Sequence, residues 1–236
     1  MKKFVNDELA APNVLKVPID LEAIKGLGPL ASPDTAGRRF FSRSPQWHSD
    51  VRWLSPRSEA DFALFRSVFE RLDIARHVAP FVDVDREIRL YNSMIIVRSS
   101  CSEPDFHTDW RDNDNEGFTM MAPLTGNCSG FGLLYKKTDG SVGEYEYKLG
   151  EALIFGDDFV HSTKPGRSEE AVIFLCFNFG TDKMEYWPTI ERTAARQALL
   201  TCRPDGQFHR IPLWHRARAA VGSRLRKSGL RPAYGE

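Results

Sequence analysis

Three side chains in this sequence are spaced for metal chemistry. Phe106-His107-Thr108-Asp109-Trp110 sets a histidine and an aspartate two positions apart. About fifty residues later a lone histidine, His161, closes the stretch Gly150-Glu151-Ala152-Leu153-Ile154-Phe155-Gly156-Asp157-Asp158-Phe159-Val160-His161. In an extended segment, positions i and i+2 share a face, so His107 and Asp109 point together. Two imidazoles and one carboxylate can hold one face of a ferrous ion and leave the other face open for chemistry. A second His-x-Asp, His48-Ser49-Asp50, competes for the role. It lies in a proline-rich arm with no evident strand pair to fix ligand geometry, and it reads as a solvated loop or local cap. The metal set is therefore His107, Asp109 and His161, against the plainer reading of two surface histidines and a turn aspartate.

Such a set works only on a rigid sheet. From residue 88 the chain becomes β-branched and aromatic: Ile88 to Arg98, the His107 segment, Gly117 to Leu124, Phe131 to Lys136, Glu144 to Lys148, Ala152 to Phe155, the run at His161, and Ala171 to Phe179. Asp139-Gly140 marks a turn. Glu144-Tyr145-Glu146-Tyr147-Lys148 alternates with the period of a half-buried strand. About eight short, evenly spaced strands predict a mainly β fold, a double-stranded β-helix or cupin-like jelly roll, with flanking α-helices. Ser58-Glu59-Ala60-Asp61 reads as a capping box. Phe62, Phe65, Phe69 and Leu72 follow at helical spacing and predict a helix over 59–77 against the sheet. Pro188 and Thr189 open a second helix over about 190–200. Residues 1–57, rich in proline and glycine, read as an irregular arm anchored by Phe40, Phe41, Trp47 and Trp53. The expected organisation is one domain over 1–202, with its core at 88–180 and the arm and first helix at 1–87, then a basic tail over 203–236.

Bulk composition narrows the partners. The 236 residues balance 32 Lys and Arg against 32 Asp and Glu, so no nucleic acid partner is expected. Cys101, Cys128, Cys176 and Cys202 are too scattered for a zinc knuckle or a disulfide scaffold. The start reaches acids before any apolar run, so no signal peptide is expected, and no apolar run spans a bilayer. A reducing cytoplasm is the default compartment. The tail departs from the average: residues 203–231 hold eight cations against Asp205 alone, with Trp214, Val221 and Leu225 at helical spacing. A basic amphipathic helix of this kind can lie on an anionic membrane or bind an acidic partner. A terminal helix docked on the domain with its charges in water is the plainer reading.

The stretch over about 88–180 resembles the 2-oxoglutarate and Fe(II)-dependent dioxygenases, on His107-x-Asp109, His161 and the approach Gly150 to Phe155. That approach is similar to the aspartyl/asparaginyl β-hydroxylase and phytanoyl-CoA hydroxylase branches. The resemblance implies Fe(II) as metal, 2-oxoglutarate as cosubstrate and O2 as oxidant. It also implies hydroxylation of an unactivated C–H bond with release of succinate and CO2, on a small molecule or a protein side chain. The family places an Arg or Lys about ten residues after the distal histidine to pair with the far carboxylate, and here that position is Ala171. Arg167, on the loop leading into the strand, is the first substitute, because its planar fork suits a carboxylate. Lys136 is the second. Two rival readings are a cupin-type metal oxygenase that does not use 2-oxoglutarate and a non-catalytic β-sandwich binding module. Asp157 and Asp158 read either as acceptors that orient the His161 ring or as a simple solvated turn, and Trp110 to Glu116 reads as either a substrate lid or a plain loop.

Overall fold

The structure is a computed structural model that describes residues 4–32, 39–43 and 51–210. Its strands, in chain order, are β1 Val5–Asn6, β2 Ala11–Pro12, β3 Val14–Pro18, β4 Phe40–Arg43, β5 Val51–Pro56, β6 Arg89–Cys101, β7 Gly117–Pro123, β8 Gly132–Lys136, β9 Val142–Glu146, β10 Glu151–Phe155, β11 His161–Thr163, β12 Gly166–Gly180, β13 Leu200–Cys202 and β14 Phe208–Arg210. The helices are α1 Leu21–Ile24, α2 Glu59–Arg71, α3 Ala75–Val78 and α4 Trp187–Gln197.

Two antiparallel sheets face each other. The larger runs β3-β10-β7-β12-β6-β5-β4, and the smaller runs β11-β8-β9. The central strands β6 and β12 are long, β-branched and aromatic, and they pair along most of their length. Alternation sorts their side chains by face. Leu175, Phe177 and Phe179 point to one side, where α2 covers them. Val172 and Phe174 point to the other, into the space between the sheets, with Leu133, Tyr135, Tyr145, Tyr147, Leu153, Phe155 and Phe159. The result is the expected jelly roll with helices on its outer face.

Helix α2 forms as its sequence dictates. Ser58 caps it by accepting from the Asp61 amide at 3.1 Å, and Phe62, Phe65, Val68 and Phe69 make one buried stripe. Phe69 packs on Phe177 and Phe179 with ring centroids 5.6 and 5.1 Å apart. The helix stops short of residue 77 because Asp73 takes a left-handed conformation, φ 49°, and α3 restarts beyond it. Helix α4 begins earlier than expected, at Trp187, with Pro188 in its first turn, where a missing amide proton costs no helical bond.

The arm is more regular than its prolines suggested. It supplies both edges of the larger sheet: β3 pairs with β10, and β5 pairs with β6 and carries β4 outside it. Prolines tolerate edge positions because no further strand needs their missing donors. Phe40 is fully buried and Trp53 half-buried, as anchoring residues should be. Trp47, His48 and Asp50 lie outside the described residues.

Candidate metal centre

His107 and His161 stand directly opposite each other. Each backbone amide donates to the other's carbonyl at 2.9 Å, an isolated antiparallel bridge that extends the smaller sheet past β11. The two rings lie with centroids 4.7 Å apart. Asp109, two residues on, shares the face of His107, and its Oδ1 is 3.6 Å from His107 Nε2. One ligand atom from each of the three lies within 4.8 Å of the others. Among the described residues no other group of three or more His, Cys, Asp and Glu side chains converges in this way. The competing pair His48 and Asp50 falls outside them.

The backbone fixes the histidine tautomers. His107 Nδ1 lies 2.7 Å from the Asp105 carbonyl, and His161 Nδ1 lies 3.0 Å from the Phe159 carbonyl. Carbonyls only accept, so each Nδ1 carries the proton and each Nε2 keeps its lone pair. Of the two readings of Asp157 and Asp158, the orienting role falls instead to the Phe159 carbonyl. His161 is buried beneath Phe155 and Phe159, with ring centroids 4.6 and 5.4 Å away. Burial is the main reason its pKa falls to about 4; the neighbouring Asp109 raises it and His107 lowers it. It is therefore neutral at pH 7, as a metal ligand must be. The His107 ring is 43% exposed, so the cluster opens to solvent on that side.

Asp109 is held from behind. Thr119 Oγ1, on β7, lies 3.0 Å from Asp109 Oδ2 and 3.0 Å from Asn178 Oδ1, and it accepts from Trp110 Nε1 at 2.9 Å. Helix α4 fixes the main chain, since Thr193 Oγ1 donates to the Asp109 carbonyl at 2.7 Å. The donor set fits a ferrous ion: two neutral imidazoles, one carboxylate and an accessible side.

The segment after the metal pair is fastened rather than free. Trp110 is buried, and the amides of Asn113 and Asn115 donate to Asp157 Oδ2 at 3.2 and 3.3 Å. Asp112, Asp114 and Asn115 adopt positive φ, which short polar side chains tolerate. The segment ties the stretch that carries His107 and Asp109 to the turn before β11, so both histidines rest on one clasp.

The two cations expected to anchor a cosubstrate lie elsewhere. Arg167 is exposed beside Ser99, Ser100, Ser168 and Glu169, where a register irregularity separates it from Val172. Lys136 sits on the face of β8 opposite to Tyr135, with Nζ 5.1 Å from the centre of the Phe106 ring. Ala171, the family position, is exposed within the same irregularity. Tyr91 and Tyr135 are buried core residues, Tyr91 donating to the Thr181 carbonyl at 2.6 Å. Arg98 was missed: it is only 6% exposed and points between the sheets. Its signal in the sequence is its place two residues after Ile96, which shares its face.

No family model matches the chain, and no curated protein sequence does. Solved structures do. A 2OG-Fe(II) oxygenase family oxidoreductase from Burkholderia pseudomallei superposes with a TM-score of 0.53 at 12% identity, over 71% of this chain and 84% of that one. The fold is that of the 2-oxoglutarate and iron(II) oxygenases. The non-heme alpha-ketoglutarate-dependent epimerase SnoN from nogalamycin biosynthesis superposes with a TM-score of 0.57 at 13% identity, over 75% and 82%. A prolyl hydroxylase from Trichoplax adhaerens, in complex with a hypoxia inducible factor peptide fragment, gives 0.52 at 12% identity, over 71% and 83%.

Proposed function

We propose that the chain is a non-haem Fe(II) and 2-oxoglutarate-dependent oxygenase that hydroxylates an unactivated C–H bond. The observation that carries this is the His107–His161 bridge with Asp109 beside it, set on an oxygenase jelly roll. His107, Asp109 and His161 are the metal ligands. When bound, Fe(II) with 2-oxoglutarate supplies the oxidation: O2 puts one oxygen atom into succinate, formed with loss of CO2, and the other into the substrate C–H bond. The chain's own residues prepare that step. The Asp105 and Phe159 carbonyls turn both Nε2 lone pairs toward Asp109. Thr119 holds the carboxylate, and outer partners of this kind set metal affinity. Phe155 and Phe159 keep water from the buried side of His161.

The substrate is a small molecule or a peptide side chain. SnoN belongs to nogalamycin biosynthesis and the prolyl hydroxylase holds a peptide fragment, so the fold admits both sizes. The Gly150 to Phe155 approach favours the aspartyl/asparaginyl or phytanoyl-CoA hydroxylase branch. The oxygenase unit, expected over 1–202, runs on through the β13–β14 hairpin to Arg210, and the rest of the basic tail expected over 203–236 has an anionic membrane or an acidic partner as its contact. No helix among the described residues is long and apolar enough to cross a membrane, and all four cysteines are free and buried. Both facts are compatible with a cytoplasmic location.

Anaerobically purified protein should bind about one Fe(II) per chain, as one facial triad requires, and convert 2-oxoglutarate to succinate. His107→Ala and His161→Ala should each abolish tight uptake, and His48→Ala should not. Iron-loaded protein that neither binds 2-oxoglutarate nor forms succinate would return the assignment to a cupin-type oxygenase or a binding module.

A further inference from the structure

We propose that Arg98, on β6, is the counter-charge for the far carboxylate of 2-oxoglutarate, with Thr163 beside it at the polar end of the pocket and Tyr147 lining the space between that end and the metal ligands. The inference rests on the reading of the site given above and names the residue that the family position lacks.

Position comes first. His161 and Thr163 lie two residues apart on β11, paired with Tyr135 and Leu133, which both face the space between the sheets. Side chains at i and i+2 point the same way, about 7 Å apart. Arg98 Nη1 donates to Thr163 Oγ1 at 2.5 Å. The guanidinium therefore sits one i-to-i+2 step along β11 from the distal metal ligand, roughly the reach of a five-carbon diacid. The metal ligands mark one end of this space: Asp109 bonds Thr119, and Thr119 bonds Asn178. From Asn178 the inner face of β12 runs through Cys176 and Phe174 to Val172, and Arg98 is the residue paired with Val172. Tyr147 lies between the two ends. It packs on Phe174 with ring centroids 4.8 Å apart, and its hydroxyl is buried within 3.9 Å of Met121 Sδ.

The register explains why the cation is on β6. Between Arg167 and Val172 the chain advances five residues on β12 while β6 advances two, from Ser100 to Arg98. The irregularity carries Ala171 and Arg167 out to solvent and leaves apolar Val172 as the inner residue at this level. A cation on the paired position of the neighbouring strand reaches the same space. The planar fork of a guanidinium can meet a carboxylate with two parallel hydrogen bonds. Lys136 points away from this space, and Arg167 lies outside it.

Calorimetric titration of the manganese-loaded full chain tests the assignment. The probes are 2-oxoglutarate and pyruvate, which keeps the keto acid but lacks the far carboxylate. Wild type should bind 2-oxoglutarate more tightly than pyruvate. Arg98→Met should weaken 2-oxoglutarate at least tenfold, as loss of a charged hydrogen bond does, with manganese and pyruvate affinity unchanged. The double substitution Arg98→Met with Val172→Arg returns a cation to the same space from the paired strand, and should restore most of the preference. If Arg98→Met does not fold, Arg98→Lys takes its place and should lose part of the preference. A folded Arg98 variant with undiminished preference overturns the proposal and leaves the oxygenase reading intact. A wild-type protein with no preference over pyruvate overturns that reading as well.

Discussion

A histidine serves a metal only through a nitrogen without a proton, and here main-chain carbonyls make that choice. The same residue-scale reasoning extends to Asp157, which accepts from two amides of the segment that braces Asp109. Burial raises its pKa, more than the Asn115 and Asn113 amides lower it. Below the ordinary carboxylate range the group is protonated in both folded and unfolded chains and costs nothing. As pH rises from that range through the raised folded value, the unfolded chain ionises first and the native state loses stability. Asp157→Asn keeps an acceptor oxygen and removes the charge. The thermal midpoint of the variant should gain on wild type as pH rises from acid to neutral, and parallel curves would show that Asp157 is not the titrating group. The three converging side chains, His107, Asp109 and His161, were readable in the sequence because few residue types bind metals and i, i+2 spacing fixes their side. Their orienting carbonyls were not, since every residue carries one. Arg98 was passed over because an arginine at a strand end looks solvated until its partner strand is known.

At the scale of elements, the site depends on how closely the segment carrying Asp109 and Trp110 folds back on β7. Gly117 opens β7 beneath Trp110, and a Cβ there would come within 2.7 Å of the Trp110 ring and of Asn113 Nδ2. Neither can retreat easily: Trp110 is buried and bonded to Thr119, and Asn113 is held through its amide by Asp157. Gly117→Ala should therefore destabilise the chain by about 1–3 kcal/mol, the usual cost of overpacking. It should also weaken metal binding, because Trp110 is bonded to the threonine that holds Asp109. Chemical denaturation together with manganese titration checks both, and a variant with unchanged stability would show that the clasp yields. The core strands and α2 were legible because local signals agree there: alternation, a serine cap, a phenylalanine stripe. The edge strands of the arm were not. Their pairing with β10 and β6 joins residues far apart in sequence, and proline argues against strands everywhere except at edges.

At the scale of the whole molecule, the question is where the folded unit ends. The expected border after residue 202 falls inside a hairpin. β13 pairs with β14 through Leu200–Arg210, Thr201–His209 and Cys202–Phe208. Phe208 sets its ring edge-to-face on Phe62 of α2 at 5.1 Å, and the Arg66 guanidinium lies 5.3 and 5.9 Å from the two rings. Arg203 and Asp205 pair within the turn at 3.1 Å. Two of the tail's eight cations, Arg203 and Arg210, thus belong to the hairpin, and the other six lie at 211–236, outside the described residues. A chain cut after Cys202 loses the partner strand of β13 and uncovers Phe62. Burial of one phenylalanine is worth about 1.5–3 kcal/mol, and its edge-to-face pair about 0.5–1.5 kcal/mol more. A chain cut after Arg210 keeps both. The shorter chain should melt several degrees below full length, while the longer should match it in thermal midpoint and manganese affinity. The pair of truncations also isolates the tail's charge. If 211–236 is an anionic-surface anchor, the full chain should sediment with phosphatidylserine vesicles at low salt and release as salt shortens the screening length, and the chain ending at Arg210 should stay in the supernatant. Full-length protein that ignores the vesicles at low salt would leave the six cations to a helix docked on the domain.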